Sequence, residues 1–201
     1  MSNKAGESQE GLLVVLSAPS GCGKTSIVER LLKRHPDWAQ SISVTTRPPR
    51  LGEKDGEHYF FLSKEEFEKM KNEKGLLEWA EIYGQCYGTP RKFVLDQIES
   101  GKIVILTIDG QGSMQIKETW EKDKPMISIF ILPPSVKALR ERLTNRQTET
   151  PEEIEKRISL AQDEIKSAQL YDKTIINQSL DQAVLDVEGI IQNFSTERST
   201  K

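Results

Sequence analysis

The segment Ala18-Pro-Ser-Gly-Cys-Gly-Lys-Thr25 carries the residue types and the spacing needed to hold the phosphates of a nucleotide. Gly21 and Gly23 open backbone conformations closed to other residues and let main-chain N–H groups approach phosphate oxygens. Lys24 is placed to reach β- and γ-phosphates, and the Thr25 hydroxyl is a hard oxygen ligand of the kind Mg²⁺ takes. Ser20, Cys22 and Ser26 complete the candidate cradle. The stretch departs from G-x-x-x-x-G-K-[ST] at Ala18, which stands where the first glycine is expected. A methyl group is harmless there if φ is negative and strained if φ is positive. Without supporting elements, the same residues would be a chance glycine-lysine turn.

The elements that must position this loop are legible on both sides of it. An apolar run at 12–16 precedes it and a segment of helical spacing at 26–32 follows, so a buried strand leads into a turn and a helix whose N-terminus faces the anion. Further apolar runs at 103–106, 126–132 and 174–176 alternate with helical segments. Runs this short and this rich in β-branched residues predict strands covered on both faces, hence an α/β fold with a parallel sheet between helices. Helix starts are marked at Ser63-Lys-Glu-Glu66, Thr150-Pro-Glu-Glu153 and Ser179-Leu-Asp-Gln182, each a cap followed three residues later by Glu or Gln. Pro151 occupies the favoured first helical position, and Ile154, Ile158, Ala161 and Ile165 then form an apolar stripe. Trp38 and Trp79 are expected in the core.

A chain of 201 residues buries a substantial core without disulfides or a structural metal. With no internal repeat or linker, one domain over 11–201 is expected, after a polar segment at 1–10 that reads as a disordered tail. The net charge of −3 and pI near 5.6 exclude general nucleic-acid binding, so any basic site is local. The first residues lack the apolar centre of a secretory signal, and no apolar stretch approaches the length that crosses a bilayer. Cys22 and Cys86 form no metal-ligand pattern and suggest a reducing compartment. A cytoplasmic protein without membrane or nucleic-acid partners is expected, as a monomer or weak homo-oligomer. Oxidation of Cys22 would block the loop; the plainer reading is a small residue tolerated there.

A second constellation decides among the many users of a phosphate loop. Ser43-Val-Thr-Thr-Arg-Pro-Pro-Arg50 presents two guanidinium forks from a backbone stiffened by the Pro-Pro pair, which suits a doubly charged phosphate. A solvated turn with its arginines paired to surface carboxylates would look the same. Gly52-Glu-Lys-Asp-Gly-Glu-His-Tyr59, Leu76-Leu-Glu-Trp-Ala80, Tyr83-Gly-Gln-Cys-Tyr-Gly-Thr-Pro90, Asp109-Gly-Gln-Gly112 and Arg146-Gln-Thr-Glu-Thr150 follow in order. In this series the chain resembles the guanylate kinases, over about 12–194.

The resemblance implies the P-loop nucleoside monophosphate kinase fold: a parallel core sheet with helices on both faces, a smaller mixed GMP-binding subdomain at about 43–92 and a helical lid at about 140–160. It implies ATP as phosphoryl donor, Mg²⁺, and GMP as acceptor. It implies that Ser43, Arg47, Arg50, Tyr59 and Tyr87 hold the GMP phosphate, that Glu53 supports the arginines, and that Glu78 and Thr89 read the base. Chemistry supports the base assignment. Guanine presents N1–H and N2–H side by side with an O6 acceptor, so one carboxylate takes both donors while a hydroxyl donates to O6. Adenine would leave that carboxylate without partners, and sites built on such contacts reject the wrong partner by about 10⁴-fold. In plainer readings Glu78 is the outward residue of an alternating strand, Thr89 caps the next helix, and Tyr59 and Tyr87 are half-buried aromatics.

Asp109 ends a buried strand at its carboxyl edge, where ligands collect in parallel sheets, and matches the family's acidic residue near the acceptor and Mg²⁺. The family often carries a second acid two positions earlier; here Thr107 stands there. Arg142, Arg146 and Arg157 match a lid that closes over the ATP phosphates, with Gln147 where the family often has glycine. Charged surface helices with pairs such as Glu153–Arg157 are the alternative. Asn177 falls where the family contacts adenine, or is a turn residue. Two other functions stay open on sequence: an inactive phosphopeptide-binding module of the same fold, and a kinase for a ribose bisphosphate.

Overall fold

The apolar run at 12–16 and Ser17 after it form strand β1 (Leu12–Ser17), and all six residues are buried. Alternation along this strand feeds two cores at once. Leu12, Val14 and Leu16 pack into one with Ile27, Leu31, Ile129, Leu139 and Ile158; Leu13 and Val15 pack into the other with Val94, Leu106 and Ile116. Each such side chain stabilises the fold by about 1.5–3 kcal/mol, which is why a strand buried on both faces reads as an unbroken apolar run.

The computed structural model describes residues 11–82, 84–145 and 150–199, and the segment expected to be a tail lies outside them. After β1 come α1 (Lys24–Arg34), β2 (Ala39–Gln40), β3 (Val44–Thr45), β4 (Phe60–Phe61) and α2 (Lys64–Asn72). There follow β5 (Leu76–Ile82), β6 (Gln85–Pro90), α3 (Arg91–Glu99), β7 (Ile103–Thr107), α4 (Gly110–Thr119) and β8 (Met126–Leu132). The chain ends with α5 (Val136–Thr144), α6 (Pro151–Lys166), a 3₁₀ turn (Ser167–Leu170), β9 (Lys173–Ile176) and α7 (Leu180–Ser199).

The core sheet runs β2-β7-β1-β8-β9 with every pair parallel, as the composition of the runs requires. Its central strand β1 is flanked by β7 and β8, which come much later in the chain. The crevice beyond the carboxyl ends of these strands is therefore where a ligand is expected. A second sheet, β4-β3-β6-β5, is mixed: β3 pairs with β4 in parallel and with β6 antiparallel, and β5 and β6 form a hairpin. Its own small core is Val44, Phe67 and Leu76.

Both capping boxes with Glu at the third helical position are formed, at Ser63–Glu66 and at Thr150–Glu153 with Pro151 in the first turn. The third is formed by half. The Ser179 hydroxyl accepts from Gln182 N at 3.3 Å, while the Gln182 amide turns forward to Asp186 at 2.8 Å. Trp38 is buried as expected. Trp79 is not: it is 36% exposed on β5, with Lys71 Nζ 3.7 Å from its ring centroid, so its face is covered by a cation from α2 rather than by apolar neighbours.

Candidate active site

The loop between β1 and α1 turns on Gly21 (φ 89°) and Gly23 (φ 84°), both in the left-handed region that favours glycine. A Cβ on Gly23 would stand 2.8 Å from Asn177 Nδ2, so that glycine also makes room. Among the described residues Lys74 is the one non-glycine with positive φ, so Ala18 has an ordinary backbone and its methyl packs against the core. The departure from the glycine pattern carries no strain.

Around this loop lies a cavity of about 360 Å³ lined by the loop from Ala18 to Ser26 together with Asp109 and Glu164. Thr25 and Ser26 are exposed, while Lys24 donates to the Ile108 carbonyl at 2.9 Å. Burial holds the Lys24 ammonium below the ordinary lysine range, and the carboxylates of Asp109 and Glu164 oppose that shift. Cys22 is fully buried; burial pushes its thiol up to about 12, so it is a core residue rather than a redox-sensitive one.

Three strand ends converge here. Beyond β7, Asp109 is the N-cap of α4 and accepts from Gly112 N at 2.8 Å, which fixes its carboxylate at the cavity wall. Beyond β9, Asn177 is buried, and its Nδ2 donates to the Cys22 carbonyl at 2.8 Å. Its side chain thus ties the loop down from beneath, while its own carbonyl accepts from Arg142 Nη2 at 2.7 Å. Arg157, on α6, donates to Ser20 Oγ at 2.9 Å. Helices α5 and α6 rest on the core through Leu139, Leu143, Ile154 and Ile158, and the exposed pair Arg140–Glu155 joins them. In this structure Arg157 thus touches the phosphate loop. Arg146 and Gln147 lie outside the described residues.

Glu78 is brought in by an irregularity. Leu76 pairs with Pro90 but Trp79 pairs with Gly88, so β5 carries one extra residue between them. Such a bulge breaks the alternation and re-aims side chains; Leu76, Leu77 and Glu78 are all buried. The outward-facing reading of Glu78 fails for this reason. Its carboxylate accepts from Thr89 Oγ1 at 2.6 Å and lies close enough to Asp109 to feel its charge. Burial first, and Asp109 after it, raise the Glu78 carboxyl above the ordinary range, while the Thr89 bond opposes them. Thr89 is no helix cap, since Pro90 holds that position in α3. Its single O–H is committed to Glu78, so it orients the carboxylate; donation to a guanine O6 would require that bond to break.

Near the mouth of the second sheet, Arg47 forms a two-pronged pair with Glu53, both contacts at 2.9 Å, and lies 5.5 Å from the Tyr59 ring centroid. Glu53 also accepts from Arg50 N at 2.7 Å. These bonds pull the Glu53 carboxyl down to about 2, the Arg47 bond contributing most. Tyr87 meets Tyr59 edge-on at 6.2 Å, and its side chain lies near enough to Arg47 to favour the charged guanidinium. Arg50 is exposed, and Ser43 sits half-buried where its carbonyl accepts from Phe60 N. One cluster thus unites Arg47, Arg50, Glu53, Tyr59 and Tyr87, as the sequence suggests.

Three contributors have roles at the site that the sequence alone does not assign. Gly112 leaves space for Glu78, whose Oε2 would lie 2.8 Å from an added Cβ. Gln115 brackets the backbone of Trp79, accepting from its N at 3.1 Å and donating to its O at 2.9 Å. Glu164 reads as one charge among many on a solvated helix, yet it is seven residues after Arg157, two turns on one face.

The family model described as guanylate kinase matches residues 10–194. The chain belongs to the guanylate kinase family. It is 46% identical over 183 residues to a guanylate kinase of Caldanaerobacter subterraneus subsp. tengcongensis, covering 91% of this chain and 87% of that one. It is 49% identical over 177 residues to one of Synechocystis sp., covering 88% and 91%. The crystal structure of guanylate kinase from Anaplasma phagocytophilum superposes with a TM-score of 0.72 at 32% identity, covering 92% of this chain and 86% of that one. Like those family members this is a nucleotide-binding kinase. Among the described residues no helix is long and apolar enough to cross a membrane.

The donor set of the cavity suits Mg²⁺ brought in by nucleotide phosphates. It offers a hydroxyl from Thr25 and carboxylates from Asp109 and Glu164, all hard oxygen ligands. Among the described residues no group of three or more His, Cys, Asp or Glu forms a closed metal site.

Proposed function

We propose that this chain transfers the γ-phosphoryl group of ATP to GMP in the cytoplasm, giving ADP and GDP. The observation that carries the reading is Glu78: a buried carboxylate, aimed by a strand bulge and held by Thr89, next to the Asp109 that lines the phosphate-loop cavity. An acid in that position accepts guanine N1–H and N2–H together, and no other common base offers that pair. In this reading the mixed sheet at 43–92 is the acceptor subdomain and the helices at 140–160 are the lid.

The GMP phosphate is held by Ser43, Arg47, Arg50, Tyr59 and Tyr87, with Glu53 locking Arg47 in place. Its oxygen is already anionic near neutral pH and attacks the γ-phosphorus directly, while the bond to the β-phosphate oxygen breaks and its electron pair leaves with ADP. No strong base is required. The loop amides and Lys24 hold the donor phosphates, Asn177 keeps the loop in shape, and Arg142, Arg146 and Arg157 offset the charge of the transferring group. Mg²⁺, held through Thr25 and Asp109, neutralises phosphate oxygens when bound. Positioning and electrostatics supply the rate.

Coupled measurement of ADP release with GMP, AMP, UMP and ribose phosphates tests this reading. Turnover with GMP far above the rest is expected. Equal turnover with ribose phosphates, or binding without turnover, would replace it by one of the two alternatives.

A further inference from the structure

The side-chain amide of Gln115, on α4, meets the backbone of Trp79 twice: Oε1 accepts from Trp79 N at 3.1 Å and Nε2 donates to the Trp79 carbonyl at 2.9 Å. Two bonds exchanged at one residue are what a neighbouring antiparallel strand would offer. Strand β5 has no strand on that side, because it lies at the edge of the mixed sheet, beyond β6. At this one residue a glutamine stands in for a strand.

The bulge sets the place. Pairing with β6 resumes at Trp79, opposite Gly88, so the peptide group joining Glu78 to Trp79 closes the irregular stretch. In a trans peptide the carbonyl and the N–H point to opposite sides. Here the Glu78 carbonyl lies against β6, where a Cβ on Gly88 would stand 2.9 Å from it, while the Trp79 N–H points to Gln115. Ahead of Glu78 the chain is anchored by Leu76 and Leu77, buried in two separate cores. Behind it the Trp79 side chain is at the surface, so the bonds to Gln115 supply the second anchor. Gly112, one turn earlier on the same helix, leaves the space into which the Glu78 carboxylate reaches.

Resting on the guanine reading of Glu78, we propose that Gln115 is a positioning residue for base recognition: its amide pins the peptide after Glu78 and so aims the carboxylate at both N–H groups of guanine together. Taking two donors at once fixes the carboxylate in angle as well as distance, because hydrogen bonds weaken steeply off line. A backbone swing at Glu78 therefore costs one of the two contacts before it costs both. The bracket lies at the rim, with Trp79 exposed and Gln115 half-buried. Water takes over the freed backbone groups when the amide is removed, so its loss loosens β5 with little effect on overall stability.

Steady-state kinetics on the full-length protein test this in Gln115→Ala, in Glu78→Gln and in the double variant. The acceptors are GMP and inosine monophosphate, the same purine nucleotide without the 2-amino group. In Gln115→Ala the KM for GMP is expected to rise about tenfold, with kcat and the ATP KM within about threefold, and the preference for GMP over the inosine nucleotide to narrow about fivefold. In the Glu78→Gln background the same substitution is expected to change GMP kinetics by less than about twofold, because the group it aims is gone. Thermal melts report folding. Gln115→Met, which keeps the length and the helix propensity without the amide, serves if the alanine variant does not fold. A GMP KM changed by less than about threefold in the folded variant overturns the proposal. So does equal loss with both acceptors, or the same loss with and without the Glu78 carboxylate, either of which makes the bracket a plain staple between α4 and the mixed sheet. Wild-type protein that prefers GMP, with that preference kept in Gln115→Ala, refutes the positioning alone. Wild-type protein that uses both acceptors equally refutes the guanine reading of Glu78 and this proposal with it.

Discussion

Replacing Glu78 by glutamine tests specificity and stability in a single variant. The residue is 8% exposed and accepts a 2.6 Å bond from Thr89, which the glutamine Oε1 can keep. What changes is the other edge: an NH₂ group now meets guanine N1–H and N2–H, donor against donor. Two hydrogen bonds to a charged acceptor, each contributing about 1.5–3 kcal/mol, are lost, so kcat/KM for GMP falls by about 10²–10⁴-fold. AMP, whose N1 is an acceptor, loses nothing and gains relative to GMP. The stability effect has the opposite sign. Because burial raises the folded Glu78 carboxyl above its unfolded value, the folded state binds that proton more tightly, and its stability declines as pH rises through the Glu78 range. The variant is therefore more heat-stable than wild type at neutral pH, by a margin that shrinks on acidification. By the same linkage, GMP binding favours the ionised carboxylate and weakens as pH falls through the Glu78 range. Coupled ADP-release kinetics with both nucleotides and thermal melts at several pH values check each part. A GMP loss below about fivefold, with the variant folded, would refute the assignment of Glu78 to the base.

Lys24→Ala is expected to reduce turnover by about 10²–10³-fold or more while leaving GMP affinity nearly unchanged; parallel loss of both, measured by kinetics and calorimetry, would contradict the division of the cavity into donor and acceptor sides. Gly112→Ala places a methyl 2.8 Å from Glu78 Oε2, and the displaced carboxylate raises KM for GMP by about 10–100-fold with the ATP KM little altered. Asn177→Ala removes the bond under Cys22 and shows the reverse pattern, with the ATP KM raised and the GMP KM retained. An alkylating reagent near about pH 8 modifies Cys86 before Cys22 in peptide mass mapping, because the Cys22 thiol is buried with its pKa at about 12.

Local chemistry explains why some of this architecture could be read before any coordinates. The run at 12–16, the glycine turn and the helix of Ile27, Val28 and Leu31 each obey one period or one backbone rule, so their residues announce them. The caps at Ser63 and Thr150 are local too, with every partner within three residues. The site's finer parts depend on pairing across long separations. No pattern around Glu78 reports the extra residue that turns it inward, because the bulge exists only against Gly88 and Pro90. Trp79 reads as core until α2 lays Lys71 across it. Glu164 and Gln115 look like ordinary helical surface residues, and only the packing of α6 on the phosphate loop and of α4 on β5 gives them partners.

Helix α4 touches both halves of the site. Its first turn carries Asp109 to the wall of the phosphate cavity, and its later turns grip the strand of Glu78 through Gln115 and Thr119, the latter reaching the Leu77 carbonyl at 3.3 Å. The helix is consequently a yardstick for the gap that a phosphoryl group must cross. Inserting or deleting a residue within it would rotate one grip away from the other, so drift in this segment should be confined to its outward side chains, and its length should be the least negotiable dimension of the molecule.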